Sequence, residues 1–142
     1  MRFRYQRWMI FTALVYLAVG LVIGLLMFLG YRYPAWAWIY RWRIVHVHLI
    51  LVGGIIQMIM GVALWMFPRK REPPGWTSEG EGLTLYALFN SGTVSRSLAE
   101  PFWADATWCY FAALARIGLQ ILALGYFLVL IWQRVRAPRS AA

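Results

Sequence analysis

IVHVHLILVGGIIQMIMGVALWMF, residues Ile44–Phe67, decides the fold of this chain. Its 24 residues hold only His46, His48 and Gln57 as polar side chains and no formal charge. A helix rises about 1.5 Å per residue and a bilayer core is about 30 Å thick, so roughly 20 apolar residues make one crossing. The stretch is long enough to span and too apolar to lie in water. Residues 8–29 repeat the pattern without a charge, and residues 107–132 do so with Arg116 and Gln120 as interruptions. Residues 83–103 are also long enough, but Asn90, Ser91, Thr93, Ser95, Arg96, Ser97 and Glu100 exclude lipid contact all round. That segment reads as a crossing packed inside a bundle, with an amphipathic helix at the interface as the alternative. The expectation is an all-α, four-transmembrane-helix bundle forming one integral membrane domain over residues 1–142.

Composition agrees. The 142 residues are 62% hydrophobic and 13% charged, where soluble domains carry about 25% charged residues. Mean hydropathy is +0.60. A soluble domain of this size could not hide that surface, and a disordered chain needs the opposite balance. The net charge of +9 sorts by position. Arg2, Arg4, Arg7, Arg69, Lys70, Arg71, Arg134, Arg136 and Arg139 fall on one side of four crossings, and Arg32, Arg41 and Arg43 on the other, with Asp105 nearby. The bias predicts cytoplasmic termini and a multi-pass protein of a bacterial inner membrane. The charge therefore reports topology, and nucleic acid is not an expected partner. The basic start resembles a signal peptide, but its apolar core is too long and no small-residue cleavage site follows, so it reads as a permanent helix. Residues 68–76 mix helix breakers and charges and read as the long inner loop, and the aromatics of 31–42 read as an interfacial belt. A single cysteine, Cys109, excludes an intrachain disulfide.

Ionisable groups within a bilayer are costly and mark function by default. Here they are His46, His48, Arg96, Glu100 and Arg116. At about 100° per residue the two histidines point to opposite sides of their helix and cannot bind one metal from one chain. The His46 side carries Gly53, Gln57 and Met60, with Gly61 on its flank; the His48 side is aliphatic. Glycine beside a ligand leaves room for something flat, which favours His46 as the working residue, ahead of His48. Neutral imidazole suits heme iron, and Arg41, Arg43 and Arg96 lie at a depth where they could meet propionates. A further axial ligand falls to Met27, to a second subunit, or to nothing, and an open position would admit a gas such as NO. Arg96 and Glu100, four residues apart, are placed to pair. Cys109, Ala112, Ala113, Arg116, Gln120 and Ala123 line one face of the last helix, and Gly92, Thr93, Arg96 and Glu100 one face of the third. Gly20 and Gly24 form a GxxxG on the first helix.

The run from Arg43 through His46, His48, Gly53-Gly54, Gln57 and Gly61 to Pro68-Arg69 resembles the second helix of heme–copper oxidase subunit I, in the nitric oxide reductase and cbb3-type branch. The resemblance implies that His46, three residues after an Arg, is an axial ligand of a low-spin heme b. The stretch Asn90–Pro101 resembles a pattern in small oxidase-like and NnrS-like membrane proteins. The family's catalytic subunit has many more helices and histidines than this chain, so oxygen reduction or proton pumping by the chain alone is not expected, and neither is enzyme activity by itself. Three readings follow. One is a heme b protein for electron transfer or gas sensing, as a homodimer or higher homo-oligomer with a respiratory-chain partner. Another is a cofactor-free accessory or assembly subunit of a respiratory complex. The third is a small copper protein using His48, Met27 and Cys109.

Overall fold

A computed structural model describes residues 4–67, 78–102 and 107–135. Every regular element among the described residues is helical. Helix α1 is Arg4–Arg32, and the second helical unit, α2, is Pro34–Met66. Helix α3 is Ser78–Ala99, followed by a 3₁₀ turn Glu100–Phe102, and α4 is Thr107–Val135. Three of these, α1, α2 and α4, are long and apolar enough to cross a membrane. Helix α3 is not among them, since its polar residues dilute its hydropathy. The inner-loop reading of residues 68–76 lies outside the described residues, as do Arg2, Asp105, Arg136 and Arg139.

The helix ends have local causes. α1 continues past residue 29 to Arg32 and stops where Tyr33 is extended (φ −120°, ψ 99°) before Pro34, whose ring disfavours helical geometry in the preceding residue. Phe67 is likewise extended (φ −84°, ψ 133°) before Pro68. α3 begins five residues before the expected 83, with Glu79 and Glu81 in the first turn, where the helix dipole favours acids. Pro101 removes a donor and tightens its end into the 3₁₀ turn.

α2 changes form along its length. Pro34–Trp42 is a 3₁₀ helix, Arg43–His48 is α, Leu49–Ile56 is π and Gln57–Met66 is α again. The aromatic stretch is thus helical and continuous with α2, and its Tyr33, Trp36 and Trp38 are exposed. The π segment contains Gly53 and Gly54, where α1 approaches closely. A Cβ on Gly53 would stand 2.8 Å from the Tyr16 ring, and one on Gly54 2.6 Å from Leu17 Cγ.

The chain forms two hairpins, α1 with α2 and α3 with α4, packed together. The main core joins Tyr5 and Met9 of α1, Met60 and Leu64 of α2, Leu85 and Phe89 of α3, and Ala123, Phe127 and Leu130 of α4. It fills the half of the bundle nearest the termini. The opposite half has a smaller apolar seam of Ile23, Val45 and Leu49 between α1 and α2. There polar side chains, Thr93, Arg96 and Gln120, join α3 to α4.

Candidate functional site

The ionisable groups gather at the end where α1 passes into α2 and α3 turns toward α4. His46 and His48 meet different partners there, as their separation around α2 requires. His46 Nδ1 lies 2.7 Å from the carbonyl oxygen of Gly20. A carbonyl only accepts, so Nδ1 donates, and the neutral ring keeps its lone pair on Nε2. A Cβ on Gly24 would stand 2.6 Å from Cε1 of the ring and 3.4 Å from Nε2. Gly20 meets Ile50 in the same way. The GxxxG of α1 is therefore the seat of α2, and His46 occupies it. Lower on this face Gln57, wholly buried, donates from Nε2 to the Met9 carbonyl (3.1 Å) and to Thr12 Oγ1. Gly61 packs on Met9 and Ile10. The His46–Gly53–Gln57 face thus addresses α1.

His48 turns toward α3. Its Nδ1 donates to the Ile44 carbonyl at 3.0 Å and lies 3.5 Å from Glu100 Oε2. Arg96 Nε donates to Glu100 Oε1 at 2.7 Å, so the expected i, i+4 pair forms. Arg96 Nη1 donates to Gln120 Oε1 at 3.0 Å, Gln120 Nε2 to Thr93 Oγ1 at 3.1 Å, and Thr93 Oγ1 to the Phe89 carbonyl at 2.9 Å. Gly92 admits Gln120, since a Cβ there would stand 2.8 Å from its Cγ. One polar chain therefore runs from α2 through the end of α3 to α4. Glu100 sits in the turn after α3, outside the three apolar spans. Burial pushes its carboxyl up, but His48 and Arg96 more than offset this and hold it below its ordinary range.

The remaining candidates are dispersed. Arg41 and Arg43 are exposed. Arg96 is engaged within the polar chain. Met27 is half-buried against the Ile23–Val45–Leu49 seam. Cys109 is buried beside a groove between α3 and α4, of about 460 Å³, whose lining includes Leu98, Ala99, Phe102, Trp108 and Arg116. His48, Met27 and Cys109 thus sit in three separate settings, and among the described residues no group of three or more His, Cys, Asp or Glu side chains could hold a metal ion.

Three further contacts have no counterpart in the sequence pattern read above. Tyr16 Oη donates to Asn90 Oδ1 at 2.8 Å and ties α1 to α3. Glu100 adds His48 to its Arg96 pair. Arg134, counted above as a topological charge, is buried and donates to the Leu64 carbonyl at 3.1 Å. Its place on the stripe Ala123, Phe127, Leu130, Arg134 was the available signal.

These features define an all-helical chain with three apolar helices suited to contact with a lipid bilayer. No family model, curated protein or solved structure matches it.

Proposed function

We propose that this chain is a small bacterial inner-membrane protein that binds heme b through His46 and serves in electron transfer or gas sensing. In this reading α3 is a fourth crossing, both termini are cytoplasmic, and the cluster of histidines lies toward the outer surface. The observation that carries it is the state of His46. Ligating histidines are commonly anchored by donating the other ring N–H to a carbonyl, which fixes the tautomer. His46 is anchored in this way on Gly20, and among the described residues its Nε2 has no hydrogen-bond partner. Iron would take that nitrogen. One copy supplies one such nitrogen, so the opposite axial position belongs to a second copy or stays open to a gas. Arg43, exposed beside His46, is the cation free to meet a propionate, because Arg96 is committed to Glu100 and Gln120.

The test is an absorption spectrum of protein purified in detergent after expression with added heme precursor. The expected result is a Soret band, with a sharp alpha band on reduction if two copies share the iron, and loss of both in His46→Ala. Colourless wild-type protein refutes the reading. A second reading is a cofactor-free accessory subunit of a respiratory complex. It is favoured by the polar chain itself, in which Arg96 is held by Glu100 and Gln120, and Gln120 by Thr93, without an added group. It predicts a colourless protein that co-purifies with a larger membrane complex.

A further inference from the structure

Arg116 is the cation the polar chain leaves out. It lies nine residues into α4, about 14 Å from the helix start. Among the described residues it makes no hydrogen bond or ion pair, although Gln120, one turn away, bonds both Arg96 and Thr93. A cation at such depth without a counter-charge is costly. Helical side chains lean toward the N-terminus, so the guanidinium leans up the groove toward Cys109 and Trp108. The walls of that groove are apolar, and Leu98, Phe102 and Trp108 at its lips are 65%, 46% and 70% exposed. The groove is thus open sideways, and its described lining holds a single positive charge and no carboxylate.

We propose that this groove binds one acidic phospholipid, its phosphodiester paired with the Arg116 guanidinium where it leans toward Trp108 and an acyl chain laid inward against Leu98. Charge complementarity selects an anion, and the apolar lips select an alkyl chain. A phosphodiester is favoured over a fatty-acid carboxylate because its intrinsically stronger acidity keeps it ionised by a wider margin in an apolar setting. It also accepts the two parallel N–H donors of a guanidinium. An acidic lipid is favoured over a zwitterionic one because the described lining offers a cation and no acidic side chain to receive a choline.

The test is native mass spectrometry of the detergent-purified protein titrated separately with dioleoyl phosphatidylglycerol, dioleoyl phosphatidylcholine and oleate. Wild type should retain one phosphatidylglycerol about tenfold better than Arg116→Gln, the loss of one charge-assisted contact, with Arg116→Lys in between. It should also prefer phosphatidylglycerol to the other two ligands. Equal phosphatidylglycerol retention by wild type and Arg116→Gln overturns the proposal, and so does equal or better retention of phosphatidylcholine or oleate. Should Arg116→Gln fail to fold, Leu98→Trp fills the groove from its exposed lip and leaves the cation in place. Undiminished phosphatidylglycerol retention by Leu98→Trp is then the overturning result. The lipid adduct is read without reference to heme, so this outcome and the spectrum of His46 are independent.

Discussion

Replacing Gly24 with Ala tests the seat of His46 directly. Taken alone, the substitution favours the helix by about 0.5–1 kcal/mol, because Ala loses less backbone freedom than Gly. Against that, the new methyl would stand 2.6 Å from His46 Cε1 and 3.2 Å from Nδ1. The ring must move, and the 2.7 Å bond to the Gly20 carbonyl restrains it. Losing that bond costs about 1 kcal/mol, and forcing a side chain off its site costs a further 1–3 kcal/mol. The clash wins, for a net destabilisation of about 1–3 kcal/mol, or a fall of several degrees in melting temperature at this chain length. Gly118 and Gly125 of α4 supply the control, since a Cβ on either meets nothing within 4 Å. Gly118→Ala should keep only the propensity gain and melt slightly higher. The assay is thermal unfolding in detergent followed by circular dichroism. A double-mutant cycle sharpens it: in a His46→Ala background the Gly24→Ala penalty should give way to the propensity gain, a coupling of about 2–4 kcal/mol. If Gly24→Ala is as stable as Gly118→Ala, or its penalty survives without the imidazole, the reasoning about the seat fails.

Other expectations follow from the polar contacts. Glu100→Gln leaves the half-buried Arg96 without its counter-charge and should destabilise the protein by about 1–3 kcal/mol, below the cost of breaking a fully buried pair; a loss under half a kcal/mol in chemical unfolding would place the pair in effective contact with water. Because the Glu100 carboxyl is held below its usual 4.5, the stability it supplies is fully present above about pH 4.5 and is lost as acid protonates it below that value. Melting temperatures in a pH series should therefore show this loss in wild type and not in Glu100→Gln. Tyr16→Phe removes the bond to Asn90 and should cost about 1 kcal/mol, read in the same unfolding assay against Phe11→Leu, an exposed position of α1 with no such tie.

Much of the fold was legible in the chain because burial in lipid demands long apolar runs with their backbone bonds satisfied internally. The runs around residues 8–29, 44–67 and 107–132 signalled α1, α2 and α4. Proline signals before residues 34 and 68 mark where α1 and α2 stop. The i, i+4 spacing of Arg96 and Glu100 disclosed their pair, since both lie on one local stretch of helix. The π form of Leu49–Ile56 was not legible, because it follows from how α1 presses Tyr16 and Leu17 onto Gly53 and Gly54.

Partnership between helices is where the sequence stopped. Periodicity set His46 and His48 on different sides of α2, but nothing in it said that His46 would rest on Gly20 or that His48 would face Glu100. Those contacts depend on register and crossing between segments distant in the chain, which side-chain volumes across a whole interface decide together. The same holds for Arg134, a basic residue near a helix end by sequence and a buried donor to Leu64 in the fold. The sequence by itself determined that the chain is helical, apolar and poor in ionisable groups within its spans. Only the tertiary structure decided which of those groups satisfy one another and which, His46 Nε2 and Arg116, are left with chemistry to offer.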